Sequence, residues 1–339
     1  MPLPLIPAIV AGAAAVSTAV GAKKGVDATK NMKETKSILE DLERRYKRAF
    51  DTFELQKESS NATFEEVGKT KLYILTDTFP TFTREFGKLK NVNFSDKTKF
   101  DSLNSIPDSH QLLRDVEKQS VKAAEVLSAG LSSLAGGAVA AFGAVGATTA
   151  FASASTGTAI ATLSGVAAKN ATLAFLGGGA LKAGGLGVAG GMTVLGGIAL
   201  APAIAIGGML FESNTRKKLE EAKSERAKIN TEIEKLNKGA DLMSTLQSKA
   251  NQVNVLLGEV QMLFSTSIQR LQEIVSVEGT DYENFRKESQ DAVFQTYQIA
   301  AIMKKLLDQS LINEQGKLNT AVNSTLIDTK RFVDELNRK

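Results

Sequence analysis

The sequence of 339 residues predicts an all-α protein, an elongated antiparallel helical bundle with a glycine- and alanine-rich apolar helical hairpin. Apolar residues in both arms of the chain recur in steps of three and four, which is the spacing of a heptad seam. Strand-like alternation is rare, and β-branched residues are scattered. Between these arms, the 86 residues from Val126 to Phe211 hold 19 of the 28 glycines and only two charged residues. We therefore divide the chain into an apolar N-terminal segment (1–25), a helical arm (26–125), a glycine-rich block (126–211) and a coiled-coil-like arm (212–339).

The first 22 residues carry no charged side chain, and Lys23-Lys24 follow them. A secretory signal places positive charge before its apolar run, whereas here the charge comes after it. We expect a segment that is retained and that packs on, or dips into, a membrane. Two alternatives stay open: cleavage near the small residues Ala13–Ala15, and a buried helix that covers the glycine-rich block.

The first arm predicts two helices separated by a loop. Pro80 interrupts the apolar seam and should kink or break the first helix near Thr78. Residues 91–107 are rich in Asn, Asp and Ser and indicate a loop, after which Asp108 or Ser109 can cap the next helix. The seam of the first helix consists of Ile38, Leu42, Tyr46, Ala49, Phe53, Phe64, Val67, Leu72, Leu75, Phe79, Phe82, Phe86 and Leu89.

The second arm predicts one helix from about 214 to 275, roughly 90 Å long at 1.5 Å per residue. Gly279 and Asp281 indicate a turn, and two further helices should follow over 282–310 and 315–337. Helices of this length need partners along their length, so we expect the arms to pack against each other in antiparallel fashion. The apolar seam of the long helix consists of Ile229, Ile233, Leu236, Ala240, Met243, Ala250, Val253, Leu257, Val260, Phe264, Ile268 and Leu271.

The glycine-rich block predicts helices that pack closely in lipid. Its first and third uncharged stretches, 126–168 and 183–211, exceed the roughly 20 residues that a spanning helix needs. Small residues four apart let helix backbones approach each other, and they recur here at high density. Such pairs begin at Gly143, Ala180, Gly187 and Ala203.

Flanking charge predicts the topology of this block. Basic residues precede it at 118 and 122 and follow it at 216–218, so both ends should stay on one side of the membrane. A hairpin satisfies this requirement, with legs at 126–150 and 186–210 and a tip at 151–185. Because a lysine at the membrane centre costs about 3 kcal/mol, Lys169 and Lys182 belong at the tip. Two alternatives stay open: a tightly packed Ala/Gly helical head that never meets lipid, and weakly hydrophobic helices that are sheltered in a soluble form and released to the membrane by a trigger.

Several function classes find little support in the sequence. The chain has no cysteine and a single histidine, His110, which we interpret as a surface or capping residue. Gly185-x-Gly187-x-x-Gly190 matches the dinucleotide fingerprint in spacing alone, without a βαβ frame. Both arms are nearly neutral and show no basic stripe for nucleic acid. We therefore predict no enzyme, no catalytic residue, no cofactor, no metal site and no nucleic-acid partner.

The chain resembles an uncharacterised bacterial family in which long charged helices flank a glycine-rich apolar block. The resemblance covers most of the chain and brings no established activity with it. It lies in Pro4–Pro7, Ala22–Asp27, Gly68–Leu72, Lys90–Val92 and Asn170–Gly179. More loosely, the architecture is similar to helical pore-forming toxins of the cytolysin A and haemolysin BL type, and to apolipoprotein-L-like hairpins. The block here is longer and richer in glycine than the cytolysin A hairpin.

These patterns together predict a membrane-inserting α-helical protein that forms pores or perturbs membranes, as a toxin, effector or defence protein. Its expected partners are the lipid bilayer, further copies of itself, and a possible protein bound by the C-terminal helices. The expected location is the bacterial cytoplasm and inner membrane, or a target membrane after release. The alternative is a membrane-associated coiled-coil scaffold that organises a partner protein. The residues predicted to mediate helix packing and to occupy the tip are Gly143, Gly177, Gly178, Gly179, Gly187, Gly191, Lys169 and Lys182.

Overall fold

The computed structural model describes residues 22–95, 108–128, 215–312 and 318–338. In these ranges the protein is all-α, as predicted, and contains only two isolated β-bridges and no strand. A π-helical turn, Ile74–Thr78, joins the first two α-helices, and a 3₁₀ turn, Tyr282–Asn284, follows the fourth. The helices are α1 (Ala22–Tyr73), α2 (Phe79–Phe86), α3 (Ser109–Ser128), α4 (Thr215–Glu278), α5 (Lys287–Asp308) and α6 (Ala321–Asn337).

The described residues fall into two compact units, and both arms of the chain contribute to each. The first unit contains 22–57 and 215–242, which are the N-terminal parts of α1 and α4. The second contains 58–95, 108–128, 243–312 and 318–338. Each unit therefore depends on residues that are far apart in the sequence.

The core of the first unit is the predicted seam of α1 packed against that of α4. The buried residues are spaced by three and four on both helices, so each helix contributes one apolar stripe. Tyr46 and Phe50 pack against this core, with ring centroids 6.4 Å apart. The buried residues are Leu39, Leu42, Ala49, Phe53, Ala222, Ile229, Ile233, Leu236 and Ala240.

In the second unit, α1 and α4 run parallel, which corrects the antiparallel packing expected of the two arms. The Ser60 hydroxyl donates to the Met243 carbonyl over 183 residues, and the Gln261 amide donates to Thr78 over the same separation. A constant separation is the signature of parallel chains. An antiparallel pair arises most simply from a short hairpin, whereas α3 and the glycine-rich block separate α1 from α4.

The last three helices of the chain, α4, α5 and α6, do pack in antiparallel fashion, each against the next. Thr296 of α5 contacts the Ser267 carbonyl of α4, and nearer the turn Ser289 donates to Glu278. Lys305 of α5 pairs with Asp328 of α6 at 2.9 Å. These consecutive helices, joined by short connections, follow the antiparallel prediction.

Pro80 alters the helix where the sequence predicts a disturbance, but the chain stays helical. The Phe79 N–H donates to the Ile74 carbonyl, which is a π-type bond across five residues. Pro80 has no N–H and would clash with the carbonyl four residues earlier, at Thr76, so one widened turn accommodates its ring. Just after the π-turn, Phe79 and Phe82 of α2 pack against Phe264 of α4, with ring centroids 5.3 and 5.2 Å apart.

The turn after α4 adopts the conformation that its sequence predicts. Gly279 has a φ of +83°, the left-handed conformation that glycine adopts most easily at a helix end. Glu278 then holds the start of α5: its carboxylate accepts from the Ser289 hydroxyl at 2.6 Å and from the Arg286 guanidinium at 2.7 Å.

Asp108 caps α3 as predicted, accepting from two backbone N–H groups at 3.0 and 3.2 Å.

Candidate functional site

The residues that the sequence singles out for membrane packing lie outside the described residues. This applies to the glycines at 143, 177–179, 187 and 191 and to the lysines at 169 and 182. None of the helices in the described ranges combines the length and apolarity that a membrane span requires. His110 is exposed in the first turn of α3, where its backbone N–H contacts the capping Asp108.

The most unusual side chain in the described residues is Lys71, near the C-terminal end of α1. Its exposed fraction is 0%, although lysine is among the residues least often buried completely. Its ammonium group donates to the Gln309 carbonyl at 3.2 Å, just past the end of α5. The carbonyls at a helix C-terminus carry partial negative charge, so this is a favourable place for a cation.

A carboxylate of α5, Asp308, joins the lysine to two other groups. The Gln119 amide of α3 donates to Asp308 at 3.0 Å, and the Lys304 ammonium donates to the other carboxylate oxygen. Asp308 also acts electrostatically on Lys71. The carboxylate therefore connects α1, α3 and α5 at one point of the second unit.

The side chain of Gln309 extends the cluster to α6. Its amide oxygen accepts from the Thr325 hydroxyl at 2.7 Å, and its amide nitrogen donates to the Ser310 carbonyl at 2.7 Å. Asn319 donates to the same Ser310 carbonyl at 3.0 Å. We call Lys71, Gln119, Lys304, Asp308, Gln309 and Thr325 the buried polar cluster. Its members come from α1, α3, α5 and α6, or from the residue that follows α5, so the cluster joins these four helices.

Burial lowers the pKa of Lys71 from 10.5 to about 7, and the charge of Asp308 offsets only part of that effect. A buried amine loses the water that would stabilise its charge, so the neutral form is favoured. With Lys71 neutral, the charges of Lys304 and Asp308 balance. With Lys71 protonated, two ammonium groups lie near the single carboxylate of Asp308. The protonation state of the cluster therefore changes near neutral pH.

The chemistry open to this cluster is limited by its burial. A neutral amine is a base and a nucleophile, but Lys71 is enclosed on all sides, so a substrate has no path to its nitrogen. The described residues contain no group of His, Cys, Asp and Glu side chains arranged to hold a metal ion. The geometry fits a contact that joins helices and responds to pH, rather than a catalytic centre.

Sequence reasoning missed Lys71, although one signal pointed to it. The residues Phe64, Val67, Lys71 and Ile74 are spaced by three, four and three, so Lys71 occupies a seam position. A charged residue at such a position is buried or breaks the seam. The remaining partners, Gln119 and Gln309, lie in ordinary polar surroundings in the sequence and gave no signal.

A comparison of the chain with protein-family models, with curated protein sequences and with solved structures finds no match. The resemblance to helical pore-forming toxins therefore stays a prediction from the sequence.

Proposed function

We propose that this protein associates with a lipid bilayer by inserting its glycine-rich block, and that this insertion perturbs or perforates the membrane. The observation that carries the proposal is the contrast between block and arms. The 86 residues from Val126 to Phe211 contain only two charged side chains, whereas the described helices on either side are covered with charged ones. Uncharged stretches of this length match the hydrocarbon core of a bilayer.

The surfaces of the long helices suit water rather than lipid. Lys69 pairs with Glu65 at 2.7 Å on α1, and Lys238 pairs with Glu234 at 2.7 Å on α4. Such pairs, four residues apart on exposed helix faces, contribute a few tenths of a kcal/mol each. In hydrocarbon the same charges would each cost several kcal/mol. We therefore propose that the block contacts the membrane and that the arms stay in water.

The buried polar cluster includes Gln119 of α3, which is the helix that leads into the block. α3 ends at Ser128, so its last three residues are the first three of the block, and it is held in the second unit by the bond from Gln119 to Asp308. Leu112 and Val116 of α3 are buried in the same unit. In this proposal, α3 couples the first residues of the block to the helical body, because its other end is held in the second unit.

The test is liposome flotation of the full chain, followed by a carbonate wash and a dye-release assay. We expect the protein to float with the vesicles, to resist carbonate and to release the dye. The double variant Gly187→Leu/Gly191→Leu should bind but release less dye, because large side chains prevent close helix packing. The matched control is Val188→Leu/Val194→Leu, which should release dye like the natural sequence. A protein that ignores vesicles would contradict the proposal.

The alternative function, a membrane-associated coiled-coil scaffold, gives a different result in the same assay. A scaffold would float and resist carbonate without releasing dye. It would also retain a partner protein through residues 212–339. Retention without release would therefore favour the scaffold over a perforating protein.

A further inference from the structure

The described residues of the first unit carry their excess positive charge at one end. Residues 22–36 of α1 and 215–226 of α4 contain ten Lys and Arg side chains but only five Asp and Glu side chains. The rest of the unit, 37–57 and 227–242, contains eight of each and is therefore neutral. We call residues 22–36 and 215–226 the basic end. Each arm taken alone is nearly neutral, so the surplus becomes apparent only because one unit contains the starts of both helices.

The parallel course of α1 and α4 brings the two halves of the basic end together. Within the first unit, Glu232 acts electrostatically on Tyr46, so these two residues lie near each other. Their separation of 186 residues is close to the 183 that occurs twice in the second unit. At this separation, Lys30 and Lys33 of α1 lie at about the level at which α4 begins with the basic residues at 216–218.

Two exposed lysines and one exposed apolar side chain form the described surface of the basic end on α1. Lys30 and Lys33 are exposed and form no ion pair with the described residues, whereas Lys36 pairs with Glu40 at 3.7 Å. Met32, with 48% of its surface exposed, lies between the two lysines in the sequence. Ammonium groups beside an apolar side chain suit a surface that presents anionic groups above hydrocarbon.

We propose that the basic end binds the anionic headgroups of the bilayer into which the glycine-rich block inserts. The inference rests on the proposed function and adds to it the class of lipid that the protein recognises. Uncharged sequence meets charged helix at this end, since residues 1–22 lie at the start of α1 and the stretch 183–211 ends shortly before α4. A chain that passes from hydrocarbon into water crosses the headgroup layer at such a boundary, so lysines there meet lipid phosphates.

Lipid fits the basic end better than nucleic acid does. A nucleic-acid site gathers Lys and Arg on one face, whereas the basic end keeps five carboxylates among its ten cations. Clusters of about four to eight Lys and Arg next to a membrane segment are typical of proteins that bind anionic lipid. Their attraction to the surface decays within about 8 Å at physiological salt, so cations farther along the unit contribute little.

The test measures how the full chain partitions onto phosphatidylcholine vesicles prepared with and without phosphatidylglycerol. We expect tighter binding when phosphatidylglycerol is present, and loss of this advantage as the salt concentration rises. On the anionic vesicles, Lys30→Gln/Lys33→Gln should lower the partition coefficient about thirtyfold, at about fivefold for each lysine. On phosphatidylcholine alone, the same variant should bind like the natural sequence.

The matched control is Lys47→Gln/Arg48→Gln, which removes the same amount of charge from the same helix. Both residues are exposed in the neutral part of the first unit, about 26 Å along α1 from Lys30. This distance exceeds the range of the attraction, so partitioning should change by less than about twofold. Glu34→Gln removes a carboxylate from the basic end and should raise the partition coefficient about fivefold.

Equal losses of binding in the variants at 30/33 and at 47/48 would overturn the proposal, because net charge alone would then drive binding. Equal binding of the natural sequence to both kinds of vesicle would also overturn it. So would duplex DNA that displaces the chain from anionic vesicles, since the basic end would then prefer nucleic acid. A natural sequence that binds neither kind of vesicle would instead contradict the proposed membrane association.

Discussion

At the scale of single residues, Lys71 makes the stability of the protein depend on pH above neutrality. Its pKa is 10.5 in an unfolded chain and about 7 in the folded protein. Between these values the unfolded chain binds a proton that the folded protein does not bind. The free energy of unfolding therefore falls as the pH drops from 10.5 to about 7, and below that the contribution of Lys71 is constant.

Replacing Lys71 with methionine removes this dependence. We expect Lys71→Met to raise the free energy of unfolding at pH 7 by about 1–3 kcal/mol, because a buried amine is exchanged for an apolar chain of similar length. The gain is reduced by the donor lost to the Gln309 carbonyl. Urea unfolding of the full chain at several pH values measures it. Lys69→Met, at an exposed ion pair two residues away, is the control and should change little. A destabilised Lys71→Met variant would show that the lysine supports the core.

Glu278 produces a second pH effect, at acid pH. Hydrogen bonds from Ser289 and from Arg286 lower its pKa from 4.5 to about 2. Its contribution to stability is complete above pH 4.5 and is lost as the pH falls to about 2. Glu278→Gln should flatten the dependence of stability on pH within this window. Unfolding curves between pH 5 and pH 2 would show this, whereas the exposed Glu273→Gln control should keep the natural curve.

At the scale of elements, one glycine within α4 and one glycine just after its end should respond to substitution with opposite signs. Gly258 is helical and open, so Gly258→Ala should stabilise the dilute protein by about 0.5–1 kcal/mol. Gly279 has a φ of +83°, so Gly279→Ala should destabilise it by about 1 kcal/mol. Thermal unfolding of the two variants measures both effects. Equal signs would contradict the difference in backbone conformation that separates the two sites.

The helices also show which features the sequence could predict and why it could not predict the others. Heptad spacing located α4 to within a few residues and identified most of its buried side, because burial follows the helical period. It could not give the direction of α1 relative to α4, because an apolar stripe is the same for parallel and antiparallel partners. The burial of Lys71 could not be predicted because it depends on Gln309 and Asp308, which lie more than 230 residues away in the sequence.

At the scale of the whole molecule, a water-exposed helical body is joined to a block of 86 residues with only two charged side chains. The arms carry the charged surfaces and the buried polar cluster. The block carries the residues to which the sequence assigns membrane contact. Because these roles fall on different residues, each can be altered without the other, and variants of the arms outside the basic end should leave lipid binding intact.

The most direct test places an environment-sensitive fluorophore on single cysteines in the full chain. A label at Val194→Cys lies in the block, and a label at Lys235→Cys lies on an exposed turn of α4. With vesicles, we expect brighter, blue-shifted emission from position 194, quenched by quencher-bearing lipid, and no change at position 235. Emission from position 194 that stays unchanged while the protein floats with the vesicles would contradict insertion of the glycine-rich block.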